Sequence, residues 1–352
     1  MNRTTLHHPH PLALAAALAF SIGITVCAGN AHAQAKVTLR VADVYPVGHP
    51  VAESTAKSFM EQVKKATNGV VDFQYFPAEQ LGKGKDLLTL TQSGVADIGL
   101  VVPSYISDKM PLSAVAELPG LYGSSCEGTM ALLKLVRENG GLAKSEFAPN
   151  GVRVLIAHAF APFQLVSTKQ FKSLAQVEGQ KLRSLSAATD TTIRKLKGVP
   201  LRISAPEINE SMSRGTIDGG LMGYPTVMSY DLARLVKTGT RGANFGGAIV
   251  TYAISETKFK SLPAEVQKAL VDAGEAASRN GCDVADKAVG PLGDKLKAGG
   301  VHFLEISADE QKSLTGILES VAQEWADQLD QRGKPGGATL KEFRAALKDG
   351  AK

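Results

Sequence analysis

The sequence predicts an α/β protein with two lobes, mainly because strand and helix patterns alternate along it. β-Branched and aromatic residues form a strand pattern at 37–44, and similar patterns follow at 70–76 and 95–101 with helical stretches between them. This βαβαβ order predicts a mostly parallel sheet. A second alternating set runs from 152 to 221, so we expect a second sheet. The 352 residues are too many for one small core and sufficient for two domains.

The start of the chain, residues 1–33, has the pattern of a secretory signal peptide. An apolar stretch at 12–27 is followed by Ala31-His32-Ala33, a small-x-small cleavage site. We therefore expect this segment to be removed and the protein to be exported to the periplasm. Lipid attachment at Cys27 is the alternative, but Val26 occupies the position before it, where lipidation requires a small residue.

The remaining sequence argues against several classes of function. No second apolar run approaches the ~20 residues needed to cross a bilayer, so we expect the mature protein not to be membrane-embedded. In the whole chain, 39 Lys and Arg only slightly exceed 34 Asp and Glu, and they are scattered, which argues against nucleic-acid binding. The sequence contains none of the common nucleotide-binding, hydrolase or zinc motifs. We therefore expect no catalytic residue, no cofactor and no bound metal.

Cys126 and Cys282 are the two cysteines outside the leader. An oxidising compartment would permit a disulfide between them. We expect free thiols instead, because neither cysteine closes a small scaffold that needs a covalent link. The disulfide remains the alternative.

Short motifs spread over most of the mature chain resemble those of a transport family. They are Gly48-His49-Pro50, Pro77-Ala78-Glu79-Gln80-Leu81-Gly82, Gly94-Val95-Ala96-Asp97-Ile98, Leu118-Pro119, Gly179-Gln180-Lys181-Leu182-Arg183 and Ile217-Asp218-Gly219. Gly120 departs from the pattern, since the family usually has an aromatic residue after Leu-Pro. Each motif is weak alone. In this order and spacing they resemble the solute-binding proteins of tripartite ATP-independent periplasmic (TRAP) transporters of the DctP type.

The resemblance implies two doubly wound α/β lobes around a ligand cleft, a periplasmic binding protein type II-like fold with hinge strands and a long bracing helix. Lobe I would contain residues 36–158 and 248–287, and lobe II residues 159–247 and 288–350. The implied function is not enzymatic: the cleft captures a small carboxylate and delivers it to the TRAP membrane permease subunits. A periplasmic ligand sensor is the alternative. A secreted enzyme fits poorly, because no paired nucleophile and base is found.

The resemblance assigns the ligand carboxylate to Arg183, the arginine of the Gly-x-Lys-x-Arg motif. A guanidinium offers parallel donors that match a carboxylate and keeps its charge at ordinary pH. Counting from the motifs gives further candidate contacts, most of them apolar or aromatic where binders of polar acids carry charged groups. These candidates are Tyr45, Val102, Tyr105, His158, Phe163 and Met222, or Gly223 if the register slips by one.

One positive charge in an apolar lining predicts a monocarboxylate with an aromatic or branched apolar body. A 2-oxo or 2-hydroxy group on this acid could accept a hydrogen bond from His158. A binder of aliphatic carboxylates on the same fold is the alternative. Phe163 and Met222 could instead be core residues, and His158 could be satisfied by the backbone.

Overall fold

The computed structural model describes residues 36–350, and the predicted signal peptide lies outside the described residues. The strands are β1 (Val37–Ala42), β2 (Val71–Phe76), β3 (Ile98–Val101), β4 (Val152–Ala159), β5 (Gln164–Ser167), β6 (Lys181–Ser184), β7 (Val199–Arg202), β8 (Gly219–Met222), β9 (Thr238–Arg241), β10 (Ile249–Ser255) and β11 (His302–Glu305). The α-helices are α1 (Pro50–Ala52), α2 (Ser58–Ala66), α3 (Leu87–Gln92), α4 (Ser125–Val136), α5 (Ala187–Lys195), α6 (Ile208–Ser213), α7 (Tyr224–Ser229), α8 (Glu256–Lys260), α9 (Ala264–Ala298), α10 (Ala308–Gln331) and α11 (Gly336–Gly350). None of the helices within this range combines the length and apolar character that a membrane span requires.

The first sheet has the strand order β2-β1-β3-β10-β4. β1 pairs in parallel with β2 and with β3, as the alternating sequence pattern predicts. Parallel neighbours need a crossover connection, and helices provide it here. β10 returns from the far end of the chain and pairs antiparallel with β3 and β4. The carboxyl ends of β1 and β3 therefore lie side by side, the position where α/β sheets bind ligands.

The second sheet has the strand order β11-β9-β5-β8-β6-β7. β6 lies inside this sheet and pairs in parallel with β7 and β8. Two short segments connect the sheets, residues 160–163 between β4 and β5 and residues 242–248 between β9 and β10. The chain crosses between the sheets a third time through α9.

The long helix α9 contacts elements of both halves. It packs against β4, α2 and α4 on the first side and against α7 on the second. At Gly274 it approaches β4 so closely that a Cβ atom would collide with the carbonyl oxygen of Leu155, which explains a glycine there. Its last turns contact the second half, where Arg241 pairs with Asp294 at 2.7 Å. Pro291 interrupts the hydrogen bonding of the helix between these two regions.

Cys126 and Cys282 form a disulfide, so the expectation of free thiols is wrong. Cys126 lies in the first turn of α4 and Cys282 lies in α9, with their Cα atoms 4.7 Å apart. The N–H groups of Ser125 and Cys126 also donate to the Asp286 carboxylate, at 2.6 and 3.0 Å. The pairing depends on where these two helices cross. Scaffold size, on which the expectation rested, carries no information about that crossing.

The two C-terminal helices cover different parts of the molecule. α10 packs against α5, which belongs to the second half, and Trp325 of α10 is buried. α11 packs against α4 of the first half, and the ring centroid of its Phe343 lies 6.3 Å from that of Tyr122. The lobe boundaries given above stay a prediction.

Candidate ligand-binding site

A small cavity lies between the two sheets and is lined by residues of both. Tyr45 follows β1, Val102 and Tyr105 follow β3, and Arg183 comes from β6. The free volume of the cavity is about 30 Å³, so its walls lie close together. Its lining residues are Val44, Tyr45, Val102, Tyr105, Phe160, Phe163, Arg183, Leu185, Ala205, Thr226, Tyr230, Ala248 and Val250.

Arg183 is the charged group of this cavity, and it is buried, with 3% of its surface exposed. Its Nε donates to the carbonyl of Ile203 at 2.9 Å, which fixes the guanidinium plane. Across residues 36–350, no carboxylate forms an ion pair with it. Burial lowers the pKa of Arg183, but the ordinary pKa of a guanidinium is so high that the group stays charged. The cavity thus contains a buried guanidinium that has no ion-pair partner among the described residues.

Two sequence motifs explain why Arg183 points into the cavity. Gly220 lies beside Arg183 on β8, and a Cβ atom there would come within 2.6 Å of the Arg183 Cβ atom. The preceding Asp218 accepts a hydrogen bond from the N–H of Lys181 at 2.8 Å and pairs with Lys169 at 3.0 Å. Asp218 of the Ile-Asp-Gly motif therefore holds the start of β6, and Gly220, two residues later, leaves room beside Arg183.

Three tyrosines surround the guanidinium. The hydroxyl of Tyr105 accepts from the N–H of Ala205 at 2.8 Å, so its own proton is available to a ligand. The hydroxyl of Tyr230 is buried and has no hydrogen-bond partner in the described part of the chain. The ring of Tyr45 stacks on His49 with centroids 3.9 Å apart. Burial raises the pKa of all three tyrosines, so they act as hydrogen-bond donors at ordinary pH.

The cavity brings together five of the residues expected from the sequence to contact the ligand, and three others lie elsewhere. The five are Arg183, Phe163, Tyr105, Tyr45 and Val102. Met222 is fully buried and packs in a core cluster with Val166, Ile208 and Tyr224, so it does not line the cavity. His158 and Gly223 line a separate apolar crevice against α9.

His158 is separated from Arg183 by an aromatic wall. The ring of Phe160 lies 5.1 Å from the His158 ring, and Phe160 lines both the crevice and the cavity. Both His158 ring nitrogens are buried without a hydrogen-bond partner among residues 36–350. Burial lowers the pKa of His158 to about 4, so the ring is neutral near pH 7. In this geometry Phe160 and Tyr230 face the cavity, and His158 does not.

Sequence reasoning missed Phe160 and Tyr230. Phe160 stands three residues before Phe163 in the same connecting segment. Counting from the family motifs, which placed Phe163 at the site, could therefore have placed Phe160 there as well. Tyr230 ends α7 and lies in none of the recognised motifs, so no sequence signal marked it.

A buried acid lies near the cavity. The side chain of Glu117 is 1% exposed, and neither carboxylate oxygen has a hydrogen-bond partner within the described range. Burial raises the pKa of Glu117 to about 7. The nearby Ser186, Ser104 and Ile249 and the charge of Arg183 lower this pKa, but by less than burial raises it.

Comparison with known proteins identifies relatives along most of the chain. The family described as bacterial extracellular solute-binding protein, family 7 (DctP), matches residues 41–328. The C4-dicarboxylate-binding periplasmic protein DctP of Rhodobacter capsulatus is 25% identical over 326 residues, which cover 86% of this chain and 90% of that protein.

Solved structures share the fold at low sequence identity. A TRAP solute-binding protein from Rhodoferax ferrireducens T118, in complex with copurified benzoate, has a TM-score of 0.81 and 22% identity, covering 90% of this chain and 99% of that chain. DctP7, a Bordetella pertussis extracytoplasmic solute receptor binding pyroglutamic acid, has a TM-score of 0.76 and 24% identity, covering 88% of this chain and 99% of that chain. The two-lobed α/β fold predicted from the sequence is confirmed.

Proposed function

Because the chain belongs to the bacterial extracellular solute-binding proteins of family 7, we propose that it captures a small monocarboxylate with an aromatic or compact apolar body. The proteins of this family serve transport and are not enzymes. The proposed site is the Arg183 cavity, between lobe I (36–158 and 248–287) and lobe II (159–247 and 288–350). The protein acts in the periplasm and delivers its ligand to a TRAP membrane permease.

The buried guanidinium of Arg183 carries this proposal. A charge without a partner in a buried site is unfavourable by several kcal/mol, and a ligand carboxylate supplies both the charge and matching acceptors. Among the described residues that line the cavity, Arg183 is the one with a charged side chain. A dicarboxylate would therefore bring a second charge that finds no buried cation.

The walls of the cavity favour an apolar ligand body. Phe160, Phe163, Val102 and Val250 offer apolar surface, and burying ~100 Å² of ligand ring at ~25 cal/mol per Å² contributes about 2.5 kcal/mol. Benzoate and pyroglutamate, bound by two proteins of the same fold, are both monocarboxylates with a ring. They support this ligand class, whereas the C4-dicarboxylate named for the Rhodobacter relative is the competing choice.

Calorimetric titration of the purified oxidised protein with benzoate and with succinate tests the proposal. We expect benzoate to bind at least about tenfold more tightly, and Arg183→Ala to weaken benzoate binding by about 2–4 kcal/mol. Arg214→Ala is the matched control, because Arg214 is an exposed arginine on the second half that pairs with Glu210. Tighter binding of succinate by the wild type, or unchanged benzoate affinity in Arg183→Ala, would contradict the proposal.

A further inference from the structure

The hydroxyl of Tyr230 is a buried donor at the wall of the cavity. It has no hydrogen-bond partner among residues 36–350, whereas buried polar atoms in proteins almost always have one. The carbonyl of Tyr230 accepts from Asn209 Nδ2 at 2.8 Å, which anchors the backbone at the end of α7. An unpaired donor is thus held in a fixed place beside the space available to a ligand.

The position of Tyr230 relative to Arg183 indicates which ligand atom it can reach. Tyr105, Tyr230 and Arg183 all line the same small cavity, in which a ligand carboxylate would lie against the guanidinium. Tyr230 also acts on the charge of Arg183 but makes no hydrogen bond with it. The Tyr230 hydroxyl therefore borders the same small space as the guanidinium and is not bonded to it. An oxygen that binds there has to be close to the ligand carboxylate.

We propose that Tyr230 is a specificity-determining residue that donates a hydrogen bond to an oxygen on the carbon next to the ligand carboxylate. The preferred ligands are then 2-oxo or 2-hydroxy acids with an aromatic or branched apolar body. This proposal rests on the proposed function and assigns the hydrogen bond to Tyr230 rather than to His158, which Phe160 separates from the cavity. A site with a buried donor discriminates strongly against an analogue that leaves the donor unpaired.

The test compares two acids that differ at one position. Benzoylformate has an oxygen on the carbon next to its carboxylate, and phenylacetate has a methylene group in the same place. Calorimetry on wild type and Tyr230→Phe gives four affinities. We expect the wild type to prefer benzoylformate by about tenfold or more. Tyr230→Phe should lose most of this preference, because its affinity for benzoylformate falls while its affinity for phenylacetate stays within about threefold of wild type.

Tyr224→Phe is the matched control, because Tyr224 lies on the same helix and its hydroxyl donates to the carbonyl of Thr240 at 2.7 Å. This control should keep the preference for benzoylformate. It should also lower the melting temperature, whereas Tyr230→Phe should not, because it removes a hydroxyl that has no protein partner.

The assignment of Tyr230 would be overturned if Tyr230→Phe weakened the binding of both acids equally or weakened the binding of neither. If phenylacetate still binds in that case and is lost in Arg183→Ala, the proposed function stands and only the role of Tyr230 falls. If neither acid binds the wild type, the proposed function fails as well.

Discussion

The buried carboxyl of Glu117 makes the stability of the protein depend on pH in a predictable direction. Burial raises its pKa from 4.5 to about 7 in the folded protein. Between these values the folded state keeps a proton that the unfolded state has released. The contribution of Glu117 to the free energy of unfolding therefore falls as pH rises, by ~1.4 kcal/mol per pH unit, and levels off above pH 7. The full loss is roughly 3 kcal/mol.

Urea unfolding of wild type and Glu117→Gln at several pH values between 4.5 and 8 measures this loss. The amide stays neutral, so the variant should be close to wild type in stability near pH 4.5 and more stable by roughly 3 kcal/mol at pH 8. Glu61→Gln, at an exposed site on α2, controls for the change of net charge. If the free energy of unfolding changed with pH in the same way for wild type and Glu117→Gln, the reasoning would be refuted. Glu117 would then have the same pKa in the folded and unfolded states.

Two further predictions concern the aromatic wall and the disulfide. Phe163→Arg places a second cation at the cavity, so it should narrow or invert the preference for benzoate over succinate in calorimetric titrations; an unchanged ratio would exclude Phe163 from the ligand contact. Replacing Cys126 and Cys282 together by serine should lower the free energy of unfolding by about 2–4 kcal/mol in urea. Neither cysteine lines the cavity, so the affinity for benzoate should change little. A large loss of benzoate affinity in the double variant would mean that the disulfide supports the binding site.

Much of the fold could be predicted from the sequence because local patterns specify it. The strand pattern at 37–44 and the helical pattern at 263–297 depend on nearby residues, and the structure has β1 and α9 at these places. Val102 and Tyr105 could be placed near the site by counting from the family motifs, and Tyr45 because it lies in the loop after β1. Each lies within four residues of the carboxyl end of a strand of the first sheet. Their positions depend on topology, which alternation predicts.

The remaining features depend on side-chain direction and on long-range packing. Met222 lies at the carboxyl end of its strand, but its side chain is covered by other core residues, and this packing cannot be read from its position in the sequence. His158 is close to the cavity in sequence, but Phe160 stands between them. Tyr230 reaches the cavity through the path of α7, and Cys126 meets Cys282 through a helix crossing. No local sequence pattern indicates that Tyr230 lies at the cavity or that Cys126 lies beside Cys282.

The attachment of α9 to the two halves determines where this helix can bend. The disulfide at Cys282 and the bonds to Asp286 fasten its middle to α4, and Asp294 fastens its last turns to β9. Only about two turns separate these attachments, and they contain Gly290 and Pro291, the residues least suited to a stiff helix. Any change in angle between the sheets must therefore be absorbed as a bend over a few residues, while the first half of α9 moves as a rigid part of the first sheet.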